Sequence, residues 1–173
     1  FKSYVDTHIH SYYSLLDGVS SPTANVERAK SIGAPAVAIT DHGFVSGVYE
    51  HYFACKEHGL KPLLGCEFYM RESLEDDKMK YYHGVFIAMN KKGFENLLFL
   101  CSLGCSDNHW KERRPVLSFQ EIFDHSEGLM FSTGCMLGIL GTAQKRKNGV
   151  KKNGKASYED HSEVIEEVNQ NFL

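Results

Sequence analysis

Several short stretches of this chain set imidazoles and carboxylates where they could share a cation. His8 and His10 are spaced i, i+2, and in an extended segment that spacing turns both rings to one side. A His-x-His pair alone is a weak signal. A further imidazole and carboxylate arrive with Thr40-Asp41-His42-Gly43 at the end of an apolar run. The carboxylate Glu67 interrupts another such run, and Asp17 stands before Gly18 in the loop after His10. Taken singly, Asp17 reads as a turn residue and Asp41 as a helix cap. Collected, His8, His10, Asp17, His42 and Glu67 offer the mixed nitrogen and oxygen donors that suit Zn²⁺, Mn²⁺ or Fe²⁺, with carboxylates able to bridge two ions. More than four ligands implies more than one metal. His83 and Cys135 could enlarge the cluster, a thiolate being a good zinc ligand, and Asp41 is placed to fix the tautomer of a ligand histidine from behind.

The elements that must position these residues alternate between strand-length apolar runs and segments of helical period, the pattern of an α/β protein built from βα units. Strands are expected over Tyr4 to Ile9, Ala34 to Thr40, Leu63 to Met70, Gly84 to Met89 and Leu129 to Phe131. Helices are expected over 22–32, with Ser21 as N-cap and Gly33 past the end, over 46–58 stopping at Gly59, over 94–103, over 118–123, and after Cys135 to about Gln144. Residues 71–80 read as a polar excursion and 105–117 as a loop. The candidate ligands then gather at strand ends, where the loops of α/β folds converge. His83 is the exception, because it opens its strand; an antiparallel return after 71–80 would bring it back beside Glu67. The pair His51 and Cys55, and the cysteines Cys66, Cys101 and Cys105, read as core.

Composition bounds what such a cluster could serve. The chain has 173 residues and a mass of 19.6 kDa, enough for one domain with a real core. A net charge of −3 and a pI near 6.3 argue against a domain that holds nucleic acid by its overall field, so any grip on phosphate must be local. The exception is a basic tract whose Lys145, Arg146, Lys147, Lys151 and Lys152 could touch a nucleic-acid backbone or simply be solvated. Five cysteines without a Cys-x-x-Cys pair, and no secretory leader, point to a reducing compartment and a cytoplasmic location. No apolar run is long enough for a membrane span. Phe1 in place of an initiating Met marks the chain as an excised piece.

The strings DTHIHSYYSLLDG at 6–18, AVAITDHG at 36–43, KPLLGCEFYM at 61–70, YHGVFIAMNKKGFENL at 82–97, RRPVLSFQEI at 113–122 and TGC at 133–135 together resemble the PHP (polymerase and histidinol phosphatase) domain found at the N-terminus of bacterial DNA polymerase III alpha subunits. The likeness covers about residues 3–140, and SLLDG with Cys135 is similar to the polymerase branch of the family. It implies an α/β fold, a distorted (β/α)7 TIM-like barrel, incomplete here at its C-terminal end. It also implies two or three divalent metals, Zn or Mn with Fe as a further candidate, on His8, His10, Asp17, His42, Glu67, His83 and Cys135. Residues 1–173 would form a single PHP-like domain, with 145–157 a flexible basic loop and 158–173 a terminal helix. The family's late Asp-x-His ligand pair is missing from the 38 residues after Cys135; Asp160 and His161 are adjacent, with the wrong spacing.

The chemistry implied is metal-dependent hydrolysis of a phosphate ester. His8, His10, Asp17, His42 and Glu67 would hold a metal-activated water, and the substrate would be a DNA 3′ end, in a 3′–5′ proofreading exonuclease, or a small phosphate ester. No arginine stands beside the ligands in the sequence, which leaves the grip on phosphate to the metals. The alternative is a non-catalytic scaffold, stabilised by metal, that supports the polymerase body of a longer chain; structural zinc can contribute as much as a whole domain's stability, ~10–16 kcal/mol against ~5–15 kcal/mol. A polymerase in its own right is excluded by length.

Overall fold

The computed structural model describes residues 4–75, 81–111 and 113–142. Each helix begins where a side chain can take up a free backbone N–H. Helix α1 (Pro22–Ser31) is capped by the Ser21 hydroxyl, which accepts from the Ala24 amide, and Pro22 occupies a position whose N–H would have no helical partner. Helix α2 (Val48–His58) starts two residues later than expected and ends at Gly59, whose φ of +70° closes the last turn. Helix α3 (Lys91–Gly104) starts three residues earlier than expected because Asn90 accepts from the Gly93 amide. Helix α4 (Phe119–Asp124) carries a reciprocal capping box between Ser118 and Glu121.

Strand β2 (Lys61–Arg71) organises the sheet. Its first half runs parallel to β1 (Ala36–Ile39), with Ile39 opposite Leu64. Its second half pairs antiparallel with β3 (Tyr82–Ala88), and Tyr69 lies opposite His83. The expected antiparallel return is therefore present. Beyond β3 lies β6 (Leu129–Ser132), also antiparallel, and on the other edge of β2 lies β5 (Arg114–Ser118), parallel, with Tyr69 opposite Val116.

Three expectations are corrected. The segment Tyr4 to Ile9 makes no regular ladder: Ala38 N donates to Asp6 O at 3.3 Å and Thr40 N to Ile9 O at 2.9 Å. Those contacts are two residues apart on one side and three on the other, which breaks the register. Residues 105–117 are not a loop, since β4 (Trp110–Lys111) and β5 form a hairpin there; the apolar pair Val116 and Leu117 is too short to signal a strand, and pairing with β2 makes it one. Among the described residues the sheet stays open, in the order β4-β5-β2-β3-β6 with β1 on β2, and does not close into the expected (β/α)7 barrel. Only residues 72–81 separate β2 from β3, whereas a parallel crossover takes a dozen or more with a helix.

Side-chain alternation along β2 divides its residues between two environments. Cys66, Phe68 and Met70 enter the core with Phe86, Leu97, Leu100, Leu117 and Ile122 under α3 and α4. A second core packs Val26, Val37, Ala54 and Cys55 between α1, α2 and β1. Cys66 and Cys101 are buried as expected, but Cys105 is exposed, because α3 ends at Gly104 and Cys105 lies past its last turn. His51 is fully buried, its Nε2–H donating to the Val37 carbonyl at 3.0 Å. Burial pushes its pKa below the ordinary histidine value, against a smaller opposing pull from that carbonyl and from Asp41. No helix among the described residues is long and apolar enough to cross a membrane.

Candidate metal centre

Glu67, only 1% exposed, points to the side of β2 away from the α3 core and is the hub of the site. Its Oε2 lies 3.2 Å from His8 Nε2, 3.1 Å from His10 Nε2 and 3.0 Å from His42 Nδ1. Its Oε1 lies 2.9 Å from His83 Nδ1 and 3.8 Å from Cys135 Sγ, which is itself 3.7 Å from His83. His42 Nε2 reaches Asp17 Oδ2 at 3.0 Å. Strand pairing sets this arrangement. The Glu67 amide donates to Asp41 O at 3.0 Å and its carbonyl accepts from Gly43 N at 2.9 Å, which holds His42 beside Glu67 on one edge of β2, while β3 brings His83 up on the other. Gly43 has φ +69°, and a Cβ there would stand 2.5 Å from Pro115 Cγ of β5, so only glycine lets the chain pass between β2 and β5.

Behind the candidate ligands stands a buried hydrogen-bond network. Asp41 accepts from Ser11 N at 2.6 Å, Ser11 Oγ at 2.8 Å and Ser14 Oγ at 2.8 Å. Having spent its proton on Asp41, the Ser14 hydroxyl can only accept at its other contacts, from His42 N at 3.1 Å and from His10 Nδ1 at 3.0 Å. With Nδ1–H donated to Ser14, His10 can offer a cation the lone pair of Nε2, which faces His8 Nε2 at 3.0 Å and Glu67. Asp41 thus acts on the histidine through Ser14 and not by direct contact.

The lone pairs collected here fit a cation. Although three ring nitrogens crowd Glu67 Oε2, that oxygen and His42 Nδ1 are buried without a hydrogen-bond partner, a costly arrangement unless something positive lies between them. Burial works to raise the Glu67 pKa, but the imidazoles of His10, His42, His8 and His83 outweigh it and hold the carboxyl far below the usual range. Burial likewise works to lower that of His42, and Glu67 and Asp17 more than compensate, leaving it raised. Three overlapping groups could each hold an ion: His8, His10 and Glu67; His10, Asp17 and His42; and His42, Glu67 and His83. Imidazole nitrogen with carboxylate oxygen is a donor set for zinc, manganese or iron.

The profile of the PHP domain family matches residues 6–173. The chain belongs to this family. Among curated proteins, the DNA polymerase III subunit alpha of Treponema pallidum (strain Nichols) is 35% identical over 144 residues, 80% of this chain and 12% of that protein. The subunit alpha of Helicobacter pylori is 30% identical over 178 residues, 99% of this chain and 14% of that protein. The PHP domain described here therefore spans about an eighth of the curated relatives' length. Among solved structures, a two-domain Bacteroides vulgatus protein containing a predicted PHP-like metal-dependent phosphoesterase aligns with a TM-score of 0.51 and 16% identity, over 94% of this chain and 41% of that one; the likeness is one of fold.

All seven expected ligand positions of the PHP domain, His8, His10, Asp17, His42, Glu67, His83 and Cys135, meet in one place. Lys145, Arg146, Lys147, Lys151, Lys152 and the expected terminal helix lie outside the described residues. Sequence reasoning missed Ser11 and Ser14, whose types carry no signal without Asp41 beside them. It also missed an arginine: the Arg114 guanidinium carbon lies 5.4 Å from the ring centre of Tyr69 and 5.2 Å from that of Tyr81. Those rings pack in turn on the candidate ligands, Tyr69 on His42 at 5.5 Å and on His83 at 5.1 Å, and Tyr81 on His83 at 6.1 Å. A separation of 47 positions between Glu67 and Arg114 hides this proximity from any local motif.

Proposed function

We propose that this PHP domain is a metal-dependent phosphoesterase of a DNA polymerase III alpha-like protein, using two or three zinc or manganese ions to hydrolyse a phosphate ester, either a DNA 3′ end or a small ester. The observation that carries this reading is the buried Glu67 carboxylate, charged and ringed by four imidazoles in three overlapping ligand groups. His8, His10, His42, His83, Asp17, Glu67 and Cys135 would hold the ions. When bound, such ions lower the pKa of a coordinated water toward neutrality and offset the charge that builds on a phosphoryl group.

The chain's own residues prepare that chemistry. Glu67 remains ionised across the working pH range and lies within reach of two of the three groups. Ser14, backed by Asp41, keeps the His10 proton on Nδ1 and so keeps Nε2 free. Asp17, with its side chain 56% exposed, sits at the mouth, where a substrate would enter. Residues 1–173 would act as one unit within a longer, cytoplasmic polymerase.

One observation favours a second reading, a metal-stabilised scaffold. The ligands come from five separated segments, so that ions would staple the fold as well as any enzyme. Hydrolysis of p-nitrophenyl phosphate and of a 3′-labelled single strand, with Mn²⁺ or Zn²⁺ against chelator, separates the two. Metal-dependent turnover that disappears in a His8→Ala, His10→Ala variant is expected; turnover surviving that variant refutes the reading. Thermal stabilisation by metal without turnover would favour the scaffold.

A further inference from the structure

Arg114 is a permanent cation held beside the cluster, and among the described residues it has no ion-pair partner. Alternation along β5 puts it on the same side as Val116, which lies opposite Tyr69, so Arg114 and Tyr69 share the side of the sheet that carries Glu67. The β4–β5 hairpin closes at the pair Lys111 and Arg114, which anchors the arginine backbone on a strand and not on a free loop. Its guanidinium lies over both Tyr69 and Tyr81, and those rings wall the cluster at His42 and His83. Burial raises the pKa of the Tyr69 hydroxyl, and the neighbouring guanidinium works against that rise. Among the described residues, none of the ion pairs within 4.0 Å involves Arg114, and the side chain is only partly buried.

This is how a protein presents a phosphate-binding fork. An arginine stacked on aromatic faces is orientated while spending few of its five N–H donors, here one toward the Tyr69 hydroxyl, and the remaining donors match phosphate oxygens in pairs. Among the described residues no carboxylate pairs with Arg114 to consume that capacity. The acidic overall balance of the chain makes such a local cation more telling, since an anionic substrate draws no help from the net charge of −3.

We propose that Arg114 is the residue that grips the substrate's phosphate at this centre, one aromatic layer from the ligand histidines, with Tyr69 and Tyr81 as the platform that aims it. The proposal rests on the phosphoesterase reading for its setting but makes its own claim, which is binding. Its test is therefore calorimetric: titration of the Mn²⁺-loaded protein with inorganic phosphate and, separately, with a single-stranded oligothymidylate, for the wild type, Arg114→Gln and Arg114→Lys, with bound manganese measured in each.

The expected result is unchanged manganese content, phosphate affinity about 10- to 100-fold weaker in R114Q, and an intermediate loss in R114K, which keeps the charge but not the fork. In a turnover assay the loss should fall on KM more than on kcat. Loss with both probes assigns Arg114 to the phosphate group itself; loss with the oligothymidylate alone assigns it to the strand backbone. Should R114Q not fold, R114K decides, and an affinity equal to the wild type overturns the proposal. So does an R114Q that binds both probes like the wild type, or a wild type that binds neither. Arg114-dependent binding in a protein that hydrolyses nothing leaves the proposal standing and removes only the catalytic reading.

Discussion

Replacing Ser14 by alanine tests how the centre is prepared, because one hydroxyl joins three partners. Ser14 Oγ donates to Asp41 Oδ1 at 2.8 Å and accepts from His10 Nδ1 at 3.0 Å and His42 N at 3.1 Å. Both Ser14 and Asp41 are 1% exposed, so water cannot readily replace what is lost. A bond to a charged group is worth ~1.5–3 kcal/mol and a neutral one ~0.5–1.5 kcal/mol. Asp41 keeps its two bonds from Ser11, which places the expected loss for S14A near the lower end of the range these three bonds allow, about 3 kcal/mol. That is a large part of a domain stability of ~5–15 kcal/mol. Freed from Ser14, the His10 ring can also take the wrong tautomer, and such a change behind a ligand typically weakens metal binding ~10–100-fold. Ser11→Ala is the control, because the Ser11 hydroxyl contacts Asp41 at 2.8 Å and Tyr13 N at 3.2 Å but no histidine. Urea unfolding of the metal-free proteins and competitive Mn²⁺ titration should show both variants destabilised and only S14A impaired in metal affinity. Equal metal affinity in S14A and wild type would refute the tautomer argument.

Other perturbations bear on other parts of the account. Glu67→Gln keeps the shape of the hub but removes its charge; since Glu67 belongs to two of the three ligand groups, bound metal by elemental analysis should fall to no more than what His10, Asp17 and His42 can hold, and wild-type stoichiometry would count against the hub. His51 has its pKa lowered by burial, so on acidification the unfolded chain takes up this proton first. Its stabilising contribution is complete above the unfolded value of ~6.5 and fades as pH falls through that value toward the folded one. Urea midpoints between pH 7.5 and 5 should accordingly fall less steeply for His51→Gln than for the wild type, and parallel slopes would contradict the assignment. Gly43→Ala must place a Cβ at φ +69° and 2.5 Å from Pro115 Cγ, which should cost at least ~1–3 kcal/mol in thermal or urea unfolding; a neutral effect would mean that β5 can yield there.

Much of this protein was legible in one dimension. Helix positions followed from residues that act within a turn of themselves, such as Ser21 before Pro22 and Gly59 after His58. The candidate ligands His42 and Glu67 stood out because imidazoles and carboxylates need a reason to close or interrupt apolar runs, and the full set of seven came from the likeness to the PHP family. The antiparallel return that rescues His83 followed from a chemical demand, a partner for Glu67, before any pairing was known.

What the linear chain could not state is what depends on distant segments meeting. Strand β5 exists because β2 offers it an edge, so a run as short as Val116-Leu117 carried no signal of its own. The segment Tyr4 to Ile9 has the composition of a strand, yet its spacing against β1 breaks the ladder. The serine that backs His10, and the arginine stacked one ring from His42, acquire their places only from neighbours tens of residues away. Residue type and local period determined the elements and the donor atoms, because both act over a few bonds. Which donor atoms come together, which hydroxyl backs which ring and which arginine lies beside them were decided by the pairing of β2 with its three neighbours, because hydrogen bonds and stacking depend on distances in space that no spacing along the chain encodes.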